Sequence, residues 1–208
     1  MGRMKPAKHA AIIDAAERLI ARFGFAEVTV GAIAREAGLA RATVYLHFRG
    51  KAEIGLACLD KTHRELLEEL RAWMGRDLPA AERLRRMLVA RVLFAVDRAQ
   101  SVSVRFGDLY AAIRPQYMIR RERYFDNEAA LFLRVLREAH RTGELVVENA
   151  PLTALALVLS TNALMPFSLN ARQLKARHEI EQRVEKIAEL VLYGLRPRGR
   201  SRKERVNR

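Results

Sequence analysis

The amino-acid sequence predicts an all-α protein, with a small N-terminal domain of three helices followed by a larger helical C-terminal domain. Three observations support this fold class. Apolar residues recur at helical spacing along most of the 208 residues, glycine and proline fall where such runs begin or end, and no stretch shows the sustained alternation of a strand. The length suffices to bury a core, and Cys58 is the only cysteine, which excludes an intrachain disulfide.

Glycines and capping residues mark the helices of the N-terminal domain. Gly24 and Gly38 end the first two, because glycine adopts the positive φ of a helix end at little cost. Thr29 is a suitable N-cap for the second helix, whereas Ala40 and Gly50 offer no side-chain cap to the third and fourth. The three predicted helices span residues 8–23, 30–37 and 41–47.

Prolines and a glycine mark the helices of the C-terminal domain. Pro79, Pro115 and Pro151 stand at first-turn positions, and Gly143 stops the longest helix. The six predicted helices span residues 51–73, 79–98, 101–113, 115–141, 151–169 and 175–195. The predicted divisions of the chain are domains at 1–51 and 52–196 and a basic tail at 197–208. The tail has too few apolar residues to dock and is predicted to be disordered.

The chain is strongly basic, with 38 lysine and arginine residues, 24 acidic residues and a net charge of +14. The excess lies at the two ends, because residues 1–51 carry a net charge of +5 and residues 196–208 carry +6. Such ends favour a polyanionic partner, either nucleic acid or an anionic membrane surface. A bias of the source genome toward arginine would explain the tail equally well.

Several classes of protein are disfavoured. No run approaches the ~20 apolar residues of a membrane span, and the N-terminus has no apolar signal core, so a cytoplasmic location is expected. The sequence has no Gly-x-Ser-x-Gly motif and no phosphate-binding glycine loop, and its histidines show no metal-ligand spacing. We therefore expect no enzymatic activity, no catalytic residues, no metal and no cofactor.

Residues 29–48, TVGAIAREAGLARATVYLHF, have the spacing of a helix-turn-helix unit. Ala34 must be small because the second helix crosses over it, and Gly38 supplies the turn. Ile33, Leu39 and Val44 are the residues expected to fill the small core between the two helices. The motif predicts that the second helix of the unit, residues 41–47, enters the major groove of DNA.

The motif and its flanks resemble the DNA-binding domain of the tetracycline-repressor (TetR) family of transcriptional regulators. The resemblance covers residues 12–59 and rests on AA at 15–16, FG at 23–24, TV at 29–30, IA at 33–34, AGL at 37–39, TVYLHF at 43–48 and Lys51. It implies a ligand-responsive repressor that binds a palindromic operator in double-stranded DNA as a homodimer on the nucleoid. Alternatives are a ligand-independent DNA binder, an activator, or a helical module that uses its basic ends on RNA or membranes.

The resemblance and the motif together assign DNA contacts. Arg41 would pair with a guanine or with phosphate, and both alternatives stay open. Tyr45 is expected to bind phosphate through its hydroxyl, or else to pack half-buried against the protein. His47 is expected to contact a phosphate or a base, or else to be simply solvated. The predicted DNA-binding residues are Thr29, Arg41, Ala42, Thr43, Tyr45, His47 and Lys51.

The resemblance also implies a pocket for a small-molecule effector between the fifth to eighth helices. The predicted lining residues are Trp73, Phe94, Arg105, Phe106, Asp108, Tyr110, Tyr117, Phe132, Asn162 and Met165. The tyrosines suggest an apolar or aromatic effector. Aromatic residues at helical spacing are equally typical of a core, and Arg105 and Asp108 would form an ion pair as readily as a binding site. His63 is expected at the junction of the two domains.

Two apolar stripes near the C-terminus are predicted to form a four-helix bundle with a second subunit. The predicted interface residues are Leu155, Leu159, Ile180, Val184, Ile187 and Val191. Packing of the stripe within one chain is the alternative.

Overall fold

The computed structural model describes the backbone of residues 6–101 and 106–197 and the side chains of residues 7–100 and 112–197. Within those ranges the chain is helical and contains no strand, which confirms the all-α prediction. Two single 3-10 turns, Asn162–Leu164 and Pro166–Ser168, precede the short α8. The helices are α1 (Pro6–Phe23), α2 (Val30–Glu36), α3 (Arg41–His47), α4 (Lys51–Met74), α5 (Ala80–Ser101), α6 (Phe106–Arg141), α7 (Ala150–Ser160), α8 (Ala171–Lys175) and α9 (Arg177–Gly194). The predicted tail lies outside the described residues from residue 198 onward.

The first three helices pack around a small core of their own. Ile12, Ala16, Ile33 and Val44 are all buried in it. The turns on which this packing depends have the predicted glycine conformations, with φ of 82° at Gly24 and 65° at Gly38. α3 has the predicted bounds, Arg41–His47.

Helix α4 belongs to two cores. Ile54 and Leu59 in its first half are buried with α1–α3, while Leu66 and Leu70 in its second half are buried in the C-terminal core. The predicted division between residues 51 and 52 therefore falls in the first turn of a continuous helix. A displacement of α4 in the C-terminal core would be carried directly to the N-terminal helices.

Pro115 does not begin a helix. We expected separate helices at 101–113 and 115–141, but α6 runs without a break from Phe106 to Arg141 and contains Pro115. A proline inside a helix removes one hydrogen bond and crowds the preceding turn. Here its ring is exposed, while Ile113 and Tyr117 on either side are buried, so packing holds the helical path across it.

The predicted apolar helix 151–169 is also wrong in its extent. α7 ends at Ser160, and the side-chain oxygens of Thr161 and Asn162 beyond it accept hydrogen bonds from Arg91. Pro166 prevents the helix from resuming. A capping box of Asn170 and Gln173 then starts α8, which the sequence analysis missed.

Arg91 is wholly buried, and three of its nitrogens have partners. Nε donates to the carboxylate of Glu128 in α6, Nη1 to Oγ1 of Thr161 at 2.7 Å, and Nη2 to Oδ1 of Asn162 at 3.0 Å. Burial raises the pKa of Glu128, and the guanidinium of Arg91 opposes that rise. Because a guanidinium cannot give up its proton at neutral pH, the carboxylate is the counter-charge on which its burial depends.

Replacing Glu128 with leucine will leave the Arg91 charge buried and unpaired. We expect Glu128→Leu to lower the free energy of unfolding by about 3–5 kcal/mol, and Arg91→Met with Glu128→Leu to recover most of that loss. Urea denaturation of the full chain measures both. The control is Asp97→Asn in the exposed pair with Arg177, expected to cost less than about 1 kcal/mol. A loss at Glu128 no larger than the control would contradict the interpretation.

Candidate nucleic-acid interface and buried cavity

Helix α3 is anchored through one side and presents the other to solvent. Val44 is its only buried residue, and the C-cap residue Phe48 is buried beside it. Arg41, Ala42 and Tyr45 are exposed, as is Leu46 with 79% of its surface accessible. The remaining two predicted contact residues, Thr43 and His47, are half-buried. A short helix held this way leaves a free outer face, which is what insertion into a groove requires.

Arg41 and Tyr45 form a pair on that outer face. They lie one helical turn apart, with Arg41 Nη2 3.2 Å from the Tyr45 hydroxyl and the guanidinium 5.6 Å from the centre of the ring. The contact holds both polar groups on the same side of α3. A phosphate oxygen placed there would meet two donors at once.

Thr29 lies at the N-terminus of α2 as the N-cap. Its Oγ1 accepts a hydrogen bond from the backbone N–H of Ala32 at 3.1 Å, which confirms the predicted cap. A hydroxyl accepts and donates at once, so the Thr29 side chain keeps a proton to offer. Thr29 is exposed and belongs to the same helix-turn-helix unit as α3.

Lys51 also links two segments of the N-terminal domain, a structural role that the sequence analysis missed. Its ammonium donates to the carbonyls of Phe25 and Ala26, at 3.0 Å each, and lies 4.8 Å from the centre of the Phe25 ring. It thereby ties the turn after α1 to the start of α4. One of its three N–H groups is left for any phosphate. Gly50 offers no side-chain cap to α4, and Glu53 in the first turn of α4 accepts the backbone N–H of Arg49 at 2.6 Å.

His47 contacts the first helix rather than solvent alone. The ring of His9 stacks on Phe48 at 4.7 Å and meets His47 edge-on at 6.1 Å. Burial and the neighbouring His47 both lower the pKa of His9. These ring contacts fasten α1 to the end of α3.

A partly open cavity of about 70 Å³ lies between α4, α5, α6 and the two 3-10 turns. Its walls are mostly apolar and rich in aromatic rings. The lining residues are Leu59, Thr62, His63, Leu66, Phe94, Ala95, Arg98, Tyr117, Tyr124, Phe125, Glu128, Met165, Pro166 and Phe167.

Some of the residues that were predicted to line an effector pocket do line this cavity. Phe94, Tyr117 and Met165 line it. Trp73 does not, because its indole N–H donates to Glu69 at 2.9 Å near the C-terminal end of α4. Asn162 does not line it either, since it bonds to Arg91 behind the cavity wall.

The other predicted cavity residues divide into two groups. Phe132 is wholly buried in the core. Arg105 lies outside the described residues, and the side chains of Phe106, Asp108 and Tyr110 do as well.

His63 contributes the most unusual polar group to the cavity. Its ring stacks on Tyr124 with the centres 4.3 Å apart, and its Nδ1 lies 3.5 Å from Oε1 of Glu128. Burial lowers the pKa of His63 to about 4, so the imidazole is neutral at neutral pH. The sequence analysis expected His63 at the domain junction but missed Tyr124 and Glu128.

Two polar networks join the cavity walls to neighbouring helices. The Tyr124 hydroxyl donates to Asp60 of α4 at 2.7 Å; burial and Asp60 together raise the pKa of Tyr124. Arg98 of α5 lies 2.9 Å from Glu17 of α1, and Lys61 of α4 donates to the same carboxylate. The second network connects the cavity wall with the first helix of the N-terminal domain.

The predicted subunit interface needs correction at two positions. Ile180 and Val184 are buried inside the chain, in one cluster with Val92 and Val96 of α5, and cannot reach a partner. Leu159 is exposed, while Leu155, Ile187 and Val191 are half-buried. The large apolar side chains that α7 and α9 expose are Leu152, Leu159, Leu190 and Tyr193.

The N-terminal domain matches a known family. A sequence model described as bacterial regulatory proteins, tetR family, matches residues 12–58. The HTH-type transcriptional regulator BetI of Brucella anthropi is 40% identical over 81 residues, which cover 39% of this chain and 42% of BetI. The N-terminal domain of the chain is therefore a TetR-family DNA-binding domain. The fatty acid metabolism regulator protein of Bacillus subtilis is 32% identical over 82 residues, 39% of this chain and 42% of that protein. These alignments span less than half the length of the curated relatives.

Solved structures share the fold of this chain over almost its whole length. A transcriptional regulator from Cytophaga hutchinsonii superimposes with a TM-score of 0.74 and 19% identity, over 89% of this chain and 97% of the other. The fatty acid degradation regulator FadR from Bacillus halodurans superimposes with a TM-score of 0.61 and 21% identity, over 94% of this chain and 100% of FadR. The SmeT–triclosan complex superimposes with a TM-score of 0.59 and 20% identity, over 93% of each chain.

The described part of the chain contains neither a membrane-spanning helix nor a metal-binding cluster. None of its helices is both long enough and apolar enough to cross a membrane. No three of the described His, Cys, Asp and Glu side chains stand close enough together to share a metal ion.

Helix α3 lacks a side-chain N-cap, which a substitution at Ala40 would supply. Ala40 has the extended backbone of an N-cap, with φ of −67° and ψ of 143°, but no side-chain acceptor. We expect Ala40→Ser to raise the free energy of unfolding by about 1 kcal/mol, because a serine hydroxyl would accept a free N–H of the first turn. Urea denaturation measures the gain. Ala40→Val, which adds volume without an acceptor, is the control, and equal stabilities of the two variants would contradict the prediction.

Proposed function

We propose that this chain is a ligand-responsive transcriptional repressor that binds a palindromic operator as a homodimer. The observation that carries the proposal is the exposed face of α3, with the Arg41–Tyr45 pair on it and Val44 holding it from behind. Arg41, Ala42 and Thr43 would approach base edges, while Tyr45 and Thr29 would bind phosphates. His47 and the remaining N–H of Lys51 would add contacts at the margin.

The charge of the N-terminal region supports DNA as the partner. Residues 1–51 carry a net charge of +5, and this region contains the helix-turn-helix unit. Positive charge around a groove-reading helix speeds association and contributes most of the sequence-independent affinity. A DNA-bound regulator of this kind would work in the cytoplasm, on the nucleoid.

The exposed leucines of α7 and α9 support a homodimer. Leu152, Leu159, Leu190 and Tyr193 are between 45% and 71% exposed, whereas the opposite faces of both helices are buried. Large apolar groups concentrated on two helices are typical of an interface. Two copies of α3 about 34–36 Å apart would then face successive major grooves on one side of the duplex.

The cavity supports a small-molecule effector. One relative of similar fold is described as a triclosan complex, and two others are described as fatty acid regulators. The cavity touches α4, which also belongs to the N-terminal core, so a ligand that reshapes it would tilt the DNA-binding helices. A coupling of about 1–3 kcal/mol between ligand and DNA suffices for release. The alternative is a DNA binder, repressor or activator, that responds to no ligand.

Fluorescence anisotropy tests the DNA-binding role. The full chain is titrated onto duplex DNA from upstream of its own gene and onto a scrambled duplex, across a salt series. We expect the native duplex to bind at least about 10³-fold more tightly. Equal affinities that fall together with salt would contradict sequence-specific binding and favour the charge-driven alternative.

Two variants in the same assay assign individual contacts. Tyr45→Phe is expected to weaken the binding of both duplexes by about three- to tenfold, as the loss of one phosphate hydrogen bond would do. Arg41→Ala is expected to lower the ratio of specific to nonspecific affinity if Arg41 reads a base. If Arg41 binds phosphate instead, the variant is expected to lower the salt slope by about 1. Arg76→Ala, in the exposed loop between α4 and α5, is the control and should bind as the parent does.

Sedimentation velocity tests the dimer. Leu159→Asp and Leu190→Asp each place a charge on the proposed interface and are expected to shift the chain from dimer to monomer at micromolar concentration, because an unpaired charge does not bury. Leu78→Asp changes a part-exposed leucine in the loop between α4 and α5 and is the control. A parent that is already monomeric, or variants that remain dimeric, would contradict the proposed interface.

A further inference from the structure

The chemistry of the cavity walls restricts the effector, provided that the cavity is the effector site as proposed above. Most of the lining is apolar, and five aromatic rings contribute to it: Phe94, Tyr117, Tyr124, Phe125 and Phe167. A ligand that fills such a space must bury an apolar or aromatic body. The polar groups decide what else it must carry.

The charged groups at the cavity already have partners. Arg98 is paired with Glu17 at 2.9 Å and lies 3.5 Å from Glu65. Glu128 is paired with the buried Arg91. An ionised ligand would bring a charge that these matched pairs do not compensate, and burying an uncompensated charge is costly. The walls therefore favour a neutral molecule.

Among the described residues that line the cavity, one fully buried polar atom has no partner. Three buried side-chain nitrogens lack a hydrogen bond among the described residues, and Nε2 of His63 is the one that belongs to a cavity-lining residue. Leaving a buried polar atom unbonded costs about 1–3 kcal/mol. A ligand that satisfied this atom would recover that cost.

The geometry around the imidazole sets the direction of that hydrogen bond. Nδ1 of His63 lies 3.5 Å from Oε1 of Glu128, and an ionised carboxylate only accepts hydrogen bonds. This contact favours the proton on Nδ1. A neutral imidazole with its proton there carries a lone pair on Nε2, which accepts a hydrogen bond.

From these features we infer that the effector is a neutral aromatic molecule with a hydroxyl group, and that this hydroxyl donates a hydrogen bond to Nε2 of His63. His63 thereby acts as the residue that determines specificity. An ether or hydrocarbon of the same shape meets the same aromatic walls but leaves Nε2 without a partner. A carboxylic acid loses its proton at neutral pH and meets the matched charges of Arg98 and Glu128.

The size of the cavity means that such a ligand must open it. The free space is about 70 Å³, whereas an apolar cavity of about 150 Å³ accommodates benzene. A ring entering beside His63 displaces Tyr124 or Phe167, which form part of the wall. Because the Tyr124 hydroxyl bonds to Asp60 of α4, moving that ring acts on the helix shared by both cores.

The test compares three small aromatic probes: phenol, which donates a hydrogen bond, anisole, which only accepts, and toluene, which does neither and has the same number of heavy atoms as phenol. Isothermal titration calorimetry on the full chain gives the affinity of each. The variant is His63→Phe, which keeps an aromatic ring against Tyr124 but removes Nε2. His178→Phe, an exposed histidine of α9, is the matched control.

We expect phenol to bind the parent, and the ratio of phenol to anisole affinity to fall by about three- to tenfold in His63→Phe, the value of one hydrogen bond. The His178→Phe control keeps the parent ratio. A ratio unchanged by His63→Phe, or no binding of any probe to the parent, overturns the inference.

A spectroscopic readout keeps the inference testable if His63→Phe does not fold. In the ¹⁵N spectrum of histidine-labelled parent protein, the Nε2 signal of His63 should move upfield with phenol and stay in place with anisole. A signal that responds to both probes alike overturns the inference.

Operator binding in the presence of each probe separates this inference from the proposed function. Release of the operator by toluene and anisole as readily as by phenol would support a ligand-responsive repressor and overturn the role of His63. A phenol complex with the expected ¹⁵N shift that leaves operator binding unchanged would support the site and contradict the ligand-responsive function.

Discussion

The buried guanidinium of Arg91 is the constraint around which the C-terminal domain is arranged. A permanent charge with no exposed surface must be met by fixed acceptors, and here these are the Glu128 carboxylate, the Thr161 hydroxyl and the Asn162 amide oxygen. These hydrogen bonds fix α5 against α6 and against the residues that follow α7. The same pairing holds the second oxygen of Glu128 beside His63. One wall of the cavity is therefore a consequence of how the core accommodates a charge.

The two domains are mechanically coupled because they share helices rather than meet only at a surface. α4 has its first half in the N-terminal core and its second half in the C-terminal core, and Tyr117 and Tyr124 of α6 pack into the N-terminal cluster as well. Ion pairs reinforce this sharing, since Lys61 of α4 and Arg98 of α5 both bond to Glu17 of α1. Arg98 also lines the cavity. An outward movement of the cavity wall would displace α1 through these side chains, and it would displace α2 and α3 through α4.

The sequence was sufficient for the N-terminal domain because its structure depends on local features. Gly24, Gly38 and the Thr29 cap each act within a few residues, and α3 was predicted to the residue. The C-terminal domain depends on contacts distant in sequence. The burial of Ile113 and Tyr117 carries α6 through Pro115, and periodicity cannot tell which neighbour covers an apolar stripe, so Ile180 and Val184 were assigned to a partner subunit. A signal for the buried pair was present: Arg91 and Glu128 each interrupt the apolar face of a helix, with opposite charges.

The way in which α3 is held limits how its affinity for DNA can be regulated. It has seven residues, one of them buried, and no side-chain cap, so it owes its position to Val44, Phe48 and the His9 ring. Val44 shares one hydrophobic cluster with the cavity-lining Leu59 and Tyr117, whereas the Arg41–Tyr45 pair lies on the exposed side of α3. A ligand that displaced α4 would displace the whole N-terminal core with it. In a dimer whose two α3 helices must enter successive major grooves, rotation of each core as a unit changes their separation while leaving each reading surface intact. Loss of DNA binding would then arise from spacing, and a single isolated N-terminal core would not show it.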